Sequence, residues 1–262
     1  MGAWESIDSA WASPYVVGHP DQPAPKVYFF SGDEYARYDV VEDKLEYTLP
    51  IAGHWGALEG PVSGGFTWPD AGGNPDHAYY LLPNSQYSKF SLATGEIFTT
   101  YPRPIEGNWP GVNPSDWQSI DAGAGFLAIN KGFLYGVSGG STPPGGSPGG
   151  LVIPTGAWQQ VSLADHSAQG SISIEGGAGE WPVPPGYGDF QVPDTVLAWP
   201  TNTPPAPWWP SNVAYFFTDV WYTKVDVTTM TAIEGPTLIA DGWHGMPMAA
   251  PPPPPPPPGT IH

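Results

Sequence analysis

The side chains with which this 262-residue chain could ligate a metal or move a proton are six histidines and 25 acidic residues. Neither set is arranged for that work. His19, His54, His77, His166, His244 and His262 show no i, i+2 or i, i+4 pairing of the kind that places two imidazoles on one ion. His54 and His244 stand beside Trp55 and Trp243, where a turn residue is the plain reading. There is no cysteine, hence no thiolate nucleophile and no disulfide. No His-Glu-x-x-His, Gly-x-Ser-x-Gly or phosphate-cradling Gly-x4-Gly-Lys motif occurs. No two carboxylates are paired by spacing for general acid–base catalysis. No catalytic residue is assigned, and the chain is read as non-enzymatic.

Charge narrows the partners. Seven Lys and Arg against 25 Asp and Glu give a formal charge of −18. Neutralising phosphates is the main source of nucleic-acid affinity, so nucleic acid is disfavoured, and an anionic membrane surface for the same reason. A cationic partner is favoured: a polyamine, a metal ion or a basic protein face. No 18-residue apolar run exists. The opening MGAWESIDSAWAS lacks the basic and apolar regions of a signal peptide. With no cysteine besides, the expected localisation is cytoplasmic.

The elements that would position a site repeat. Residues 27–39, VYFFSGDEYARYD, alternate large apolar with small or polar residues and break at Ser31-Gly32-Asp33, which is the pattern of a hairpin. The pattern returns at 79–91 (YYLLPNSQYSKFS) and 214–226 (AYFFTDVWYTKVD). A gapless alignment superposes Tyr28, Tyr80 and Tyr215, then Tyr35, Tyr87 and Tyr222, then Arg37, Lys89 and Lys224. A weaker copy combines FLYGV (133–137) with WQQVSLADH (158–166), placing Trp158 with Tyr35. Each hairpin follows a small-residue strand: IDSAW (7–11), VSGGF (62–66), IDAGAGF (120–126) and PDTVLAW (193–199). A Trp-bearing turn follows in PIAGHWGAL (50–58), PIEGNWPGV (104–112) and LIADGWHGM (238–246), and more poorly in EWPVPPGYG (180–188).

A unit of about four strands cannot bury its apolar face alone, so four copies stack into a ring. The expected fold is all-β, a four-bladed β-propeller. The 36 Pro and 34 Gly disfavour helices, and the 13 Trp, 13 Tyr and 10 Phe suffice to fill the space between blades. Blades are expected at about 5–60, 61–118, 119–192 and 193–248. Blade three carries a low-complexity loop, SGGSTPPGGSPGG (138–150). The propeller is thus 1–248, and 249–262 is a polyproline tail whose eight prolines form a polyproline II rod. That rod is a spacer or a ligand for an aromatic-lined groove.

The order ID-A…YFF-G-xY-xRYD…PI-xxW-G resembles the hemopexin-like repeat over roughly residues 5–248. The resemblance implies a central channel where main-chain carbonyls of the first strands coordinate Ca²⁺ or Na⁺. The matching positions are Asp8, Ser63, Asp121 and Asp194; carbonyl oxygens are hard ligands suited to such ions. Matrix metalloproteinase and vertebrate hemopexin domains close the ring with a disulfide, so here packing or strand pairing must do it. Single-propeller seed albumins of this type are associated with polyamine and haem binding. The expectation is a binding module for a small cationic or haem-type ligand, with polyamine favoured by the charge. Haem held between two propellers would require a homodimer. The alternative is a protein- or glycan-recognition propeller, lectin-like, with Trp208-Trp209 as the candidate exposed aromatics or as packing between blades.

Overall fold

The computed structural model describes residues 2–22, 24–55, 58, 62–68, 77–82, 85–138, 156–169, 173–174, 193–201, 205–229 and 231–250. The 138–150 loop beyond Ser138, the 180–188 segment and the polyproline run lie outside these residues.

Strands dominate, in four antiparallel sheets. The first contains β1 (Ser9–Ser13), β2 (Lys26–Ser31), β3 (Glu34–Asp39) and β4 (Lys44–Pro50) in chain order. The second contains β5 (Ser63–Trp68), β6 (His77–Leu82), β7 (Gln86–Ser91) and β8 (Glu96–Ile97), and β9 (Arg103–Pro104) also pairs with β7. β10 (Trp117–Phe126), β11 (Lys131–Ser138), β12 (Gly156–Val161) and β13 (Ser173–Ile174) make the third. The fourth contains β14 (Thr195–Ala198), β15 (Val213–Thr218), β16 (Trp221–Asp226) and β17 (Thr231–Leu238), followed by one helical turn, α1 (Ile239–Gly242). This is the four-bladed β-propeller. No helix among the described residues is long and apolar enough to cross a membrane.

The third strands show why the sequence repeats. EYARYD, QYSKFS and WYTKVD share one burial pattern, in which half-buried ends enclose two buried residues, a central half-buried one and a further buried one. The central half-buried position holds Arg37, Lys89 and Lys224. Arg37 pairs with Glu46 and Lys224 with Glu234, and each cation lies over a ring: Tyr47, Tyr79 and Tyr215. The aliphatic stem crosses apolar surface while the charge stays at its rim.

Register corrects one alignment. Tyr28 opposes Arg37 and Tyr215 opposes Lys224, but in blade two it is Tyr79 that opposes Lys89. Two residues separate the paired ends of β2 and β3 and of β15 and β16; three separate β6 from β7. A one-residue shift sends a side chain to the opposite face. Tyr79 therefore meets its own blade's Trp109, as Tyr28 meets Trp55 and Tyr215 meets Trp243. Tyr80 turns the other way and stacks on Trp11 of blade one at 5.0 Å. Trp158 does take the position of Tyr35, Tyr87 and Tyr222, opposite Tyr135, but it is only half-buried.

Four aromatic clusters fill the seams between successive blades. At the hub, β1, β5, β10 and β14 pack on one another and are linked by hydroxyls. Ser9 Oγ accepts from Gly65 N, Thr195 Oγ1 from Ala10 N, and Thr67 Oγ1 donates to the Ala12 carbonyl. A side chain on Gly65 would strike Trp11, and one on Gly123 would strike Phe66. Small residues are thus required where four strands converge.

The ring closes without a covalent bond. Trp4 forms a parallel bridge with Met248: its N–H donates to the Pro247 carbonyl and its carbonyl accepts from Ala249 N, both at 2.7 Å. Trp4 Nε1 reaches Glu34, and Leu45 N donates to the His244 carbonyl. The closure uses both packing and main-chain pairing.

Candidate functional site

The four positions proposed to line the channel sit at or just before the inner strands. Asp8 and Asp194 are equivalent: each main-chain N–H donates to the carbonyl of a buried Phe on the second strand, Phe30 and Phe217 respectively. Their carboxylates do one job as well. Asp8 Oδ2 accepts from Gly32 N at 2.7 Å and Asp194 Oδ2 from Asp219 N at 2.6 Å, which pins the hairpin turn of each blade to its inner strand. Asp8 Oδ1 accepts from Ser6 Oγ. Asp121 lies within the longer β10, and its Oδ2 accepts from Ser119 Oγ at 2.9 Å. Ser63 opens β5, opposite Leu81.

The carbonyls of two of these residues converge on Gly64. The Asp8 carbonyl accepts from Gly64 N at 3.1 Å. Gly64 has φ +66°, and a Cβ there would lie 2.3 Å from the Asp121 carbonyl oxygen. Glycine is required on both counts.

The carboxylates also act on one another. Burial pushes the Asp194 carboxyl up to about 6, helped by the negative charges of Asp219, Asp8 and Asp121 and opposed by the Asp219 N–H. Burial raises Asp121 as well, against the Ser119 hydroxyl. The hub thus holds carboxylates whose charge no basic side chain offsets in these contacts. Among the described residues, no group of three or more His, Asp or Glu side chains is gathered to hold a metal ion. The donors this region offers a cation are main-chain carbonyls and these carboxylates, all hard oxygens.

Two arrangements escaped the sequence pattern. His166 inserts between blades two and three, stacked on Trp109 at 4.6 Å and touching Tyr79 and Trp68. Burial, with the charge of Lys89, lowers its pKa to about 4, so it is neutral at pH 7. The second is a cavity of about 280 Å³ at the seam of blades four and one. Trp208, Tyr215 and Tyr222 supply its rings; Asp43, Glu234 and Asp241 supply carboxylates; Lys224 and His244 complete the wall. Of the Trp208-Trp209 pair, Trp209 is fully buried in the core and Trp208, half-buried, lines this cavity. Only that pair was singled out in sequence as a candidate contact for a ligand, because the other wall residues are spread from 43 to 244.

A four-stranded blade repeated four times around small-residue hub strands defines a propeller of the hemopexin type. No protein-family model and no curated protein matches the chain. Solved structures match over nearly its whole length. A 2S albumin seed protein from Dolichos superposes with TM-score 0.63 at 18% identity, covering 91% of this chain and 96% of that one. The hemopexin fold protein CP4 from cow pea gives 0.61 at 17%, covering 91% and 95%. A plant lectin with two metal binding sites from Cicer arietinum gives 0.61 at 14%, covering 90% and 95%. The chain has the hemopexin fold, as its repeats indicate.

Proposed function

We propose that this chain is a non-catalytic binding propeller that takes a small polycation, of the polyamine class, at the acidic mouth of its hub. The observation that carries the reading is the burial of the Asp194 carboxylate at the hub, in the field of Asp219, Asp8 and Asp121. Burial first, and those charges after it, raise its pKa, and a bound cation would relieve that cost. The charge of −18 adds a long-range attraction for any polycation. The same oxygens fit a hard cation. The main-chain carbonyls of Asp8, Ser63, Asp121 and Asp194 would hold Ca²⁺ or Na⁺, which would supply charge neutralisation at the hub. The lectin that shares the fold is described with two metal binding sites, which is compatible with this.

Spermine titrated calorimetrically at about 20 mM and about 500 mM NaCl tests the reading, since screening shortens the reach of an exposed charge from about 20 Å to a few ångströms. Binding that weakens steeply with salt and falls in Asp194→Asn supports it. No heat at low salt, or binding indifferent to Asp194→Asn, sinks it. A Soret band on adding haem would place a porphyrin there instead.

A second reading is saccharide recognition. The seam cavity favours it, walled by aromatic rings with a few polar groups, as small-ligand sites are. The lectin among the similar structures supports it too.

A further inference from the structure

We infer that the cavity between blades four and one is a subsite for a single saccharide residue, held against Trp208 and hydrogen-bonded by Asp241 and Glu234. The inference rests on the saccharide reading and gives it a place and a chemistry.

The cavity's polar groups are unevenly spent. Asp43 is used: Oδ1 accepts from the Tyr38 hydroxyl and Oδ2 lies 3.1 Å from His244 Nδ1. Glu234 Oε2 pairs with Lys224, leaving its other oxygen. Asp241 is exposed and accepts no hydrogen bond from the described residues. On the donor side, Trp208 Nε1 and Tyr215 Oη are buried with no partner among the described residues. Tyr215 is 1% exposed, and its hydroxyl lies within the electrostatic reach of Glu234 and Asp43. A buried polar atom left without a partner costs free energy, but these two are closed to solvent, so a donor that a ligand in the cavity meets is the Lys224 ammonium, with one N–H spent on Glu234.

This inventory selects the ligand. The Lys224 ammonium only donates, so the ligand must offer an acceptor; free carboxylate oxygens only accept, so it must also offer donors. An ammonium group donates alone. A carboxylate or phosphate accepts alone and is repelled by the wall. A hydroxyl does both, and a sugar ring carries several around an apolar C–H face that can lie on an aromatic ring. Size agrees, since about 280 Å³ is at the small end of ligand cavities and fits one ring rather than a porphyrin.

The experiment is saturation-transfer NMR followed by calorimetry on the full chain, with methyl glycosides of glucose, galactose, mannose and N-acetylglucosamine. The expected result is binding of at least one glycoside, nearly independent of salt. It should weaken about tenfold or more in Trp208→Ala and several-fold in Asp241→Asn. Trp208→Phe, which keeps a smaller ring, should fall between wild type and Trp208→Ala. Each variant is checked for an unchanged melting temperature. Binding that survives Trp208→Ala and Asp241→Asn overturns this site but leaves the saccharide reading standing. No binding of any glycoside overturns both. Spermine binding abolished by Asp241→Asn and indifferent to Trp208→Phe would assign the cavity to a cation and overturn the inference.

Discussion

Tyr35 shows how much of this fold rests on single rings. It is 5% exposed and meets Trp55 edge-on at 5.2 Å, with Phe30 and Tyr47 beside it. Tyr35→Ala should cost about 3–5 kcal/mol in urea denaturation, the usual range for deleting a buried aromatic. A cost near 0.5 kcal/mol would match a surface position instead. His166 makes a prediction of the opposite kind, about charge. Its folded pKa, about 4, lies below the ordinary value of 6.5. Between those values the unfolded chain binds a proton that the folded chain refuses, so stability falls as pH drops through that window. Allowing for partial exposure, the loss attributable to this residue by pH 4.5 is about 2 kcal/mol. Asn tolerates the left-handed backbone at this position (φ +60°), so His166→Asn is the control. The gap between wild type and variant should narrow on acidification, and a constant gap from pH 7 to pH 4.5 would refute the assignment.

At the scale of the strand and turn, the inner-strand aspartates act as clamps. Asp8 and Asp194 each tie a hairpin turn to the hub. Asp8→Ala should cost about 0.5–1.5 kcal/mol by exchanging the Asp8 bond to the exposed Gly32 N–H for one to water, and Asp8→Asn, which keeps an acceptor oxygen, should recover most of it. Thermal unfolding of the two variants side by side checks this. The strands themselves were legible, because alternation and the recurring Tyr-x-Arg/Lys spacing mark one pleated, half-buried surface three times over, with Trp158-Gln159-Gln160 as the weaker fourth copy. The face of Tyr80 was not. A gapless alignment cannot see that three residues rather than two separate the strands of blade two, and that one residue exchanges Tyr79 for Tyr80 in the core. The aspartates were found through their position in the repeat. Their role as clamps was not, since it depends on a turn about 24 residues away. The seam cavity was hidden for a stronger reason: Asp43 and Asp241 are brought together only by closure of the ring.

Closure is the property of the whole molecule most open to test. Trp4 is buried, its main chain is held on both sides by Pro247 and Ala249, and its indole N–H reaches Glu34. Trp4→Ala should lower stability by about 3 kcal/mol. It should also separate blade one from blade four before the rest unfolds, which hydrogen exchange would show as early loss of protection at Leu45 and Trp243. Uniform loss across all four sheets would mean that the seam is no weaker than the others.

The hydrogen bonds from Trp4 to Pro247 and from Ala249 to Trp4 bring the start and finish of the propeller within one peptide's reach. The bridge is parallel, so a segment preceding Trp4 and one following Ala249 start from the same place and leave it in opposite directions along the pair. The same adjacency suits the propeller to circular permutation: a short linker that reverses direction could join Ala249 to Trp4, with new ends cut in a turn such as Gly32-Asp33, and the order of the blades around the axis would be unchanged.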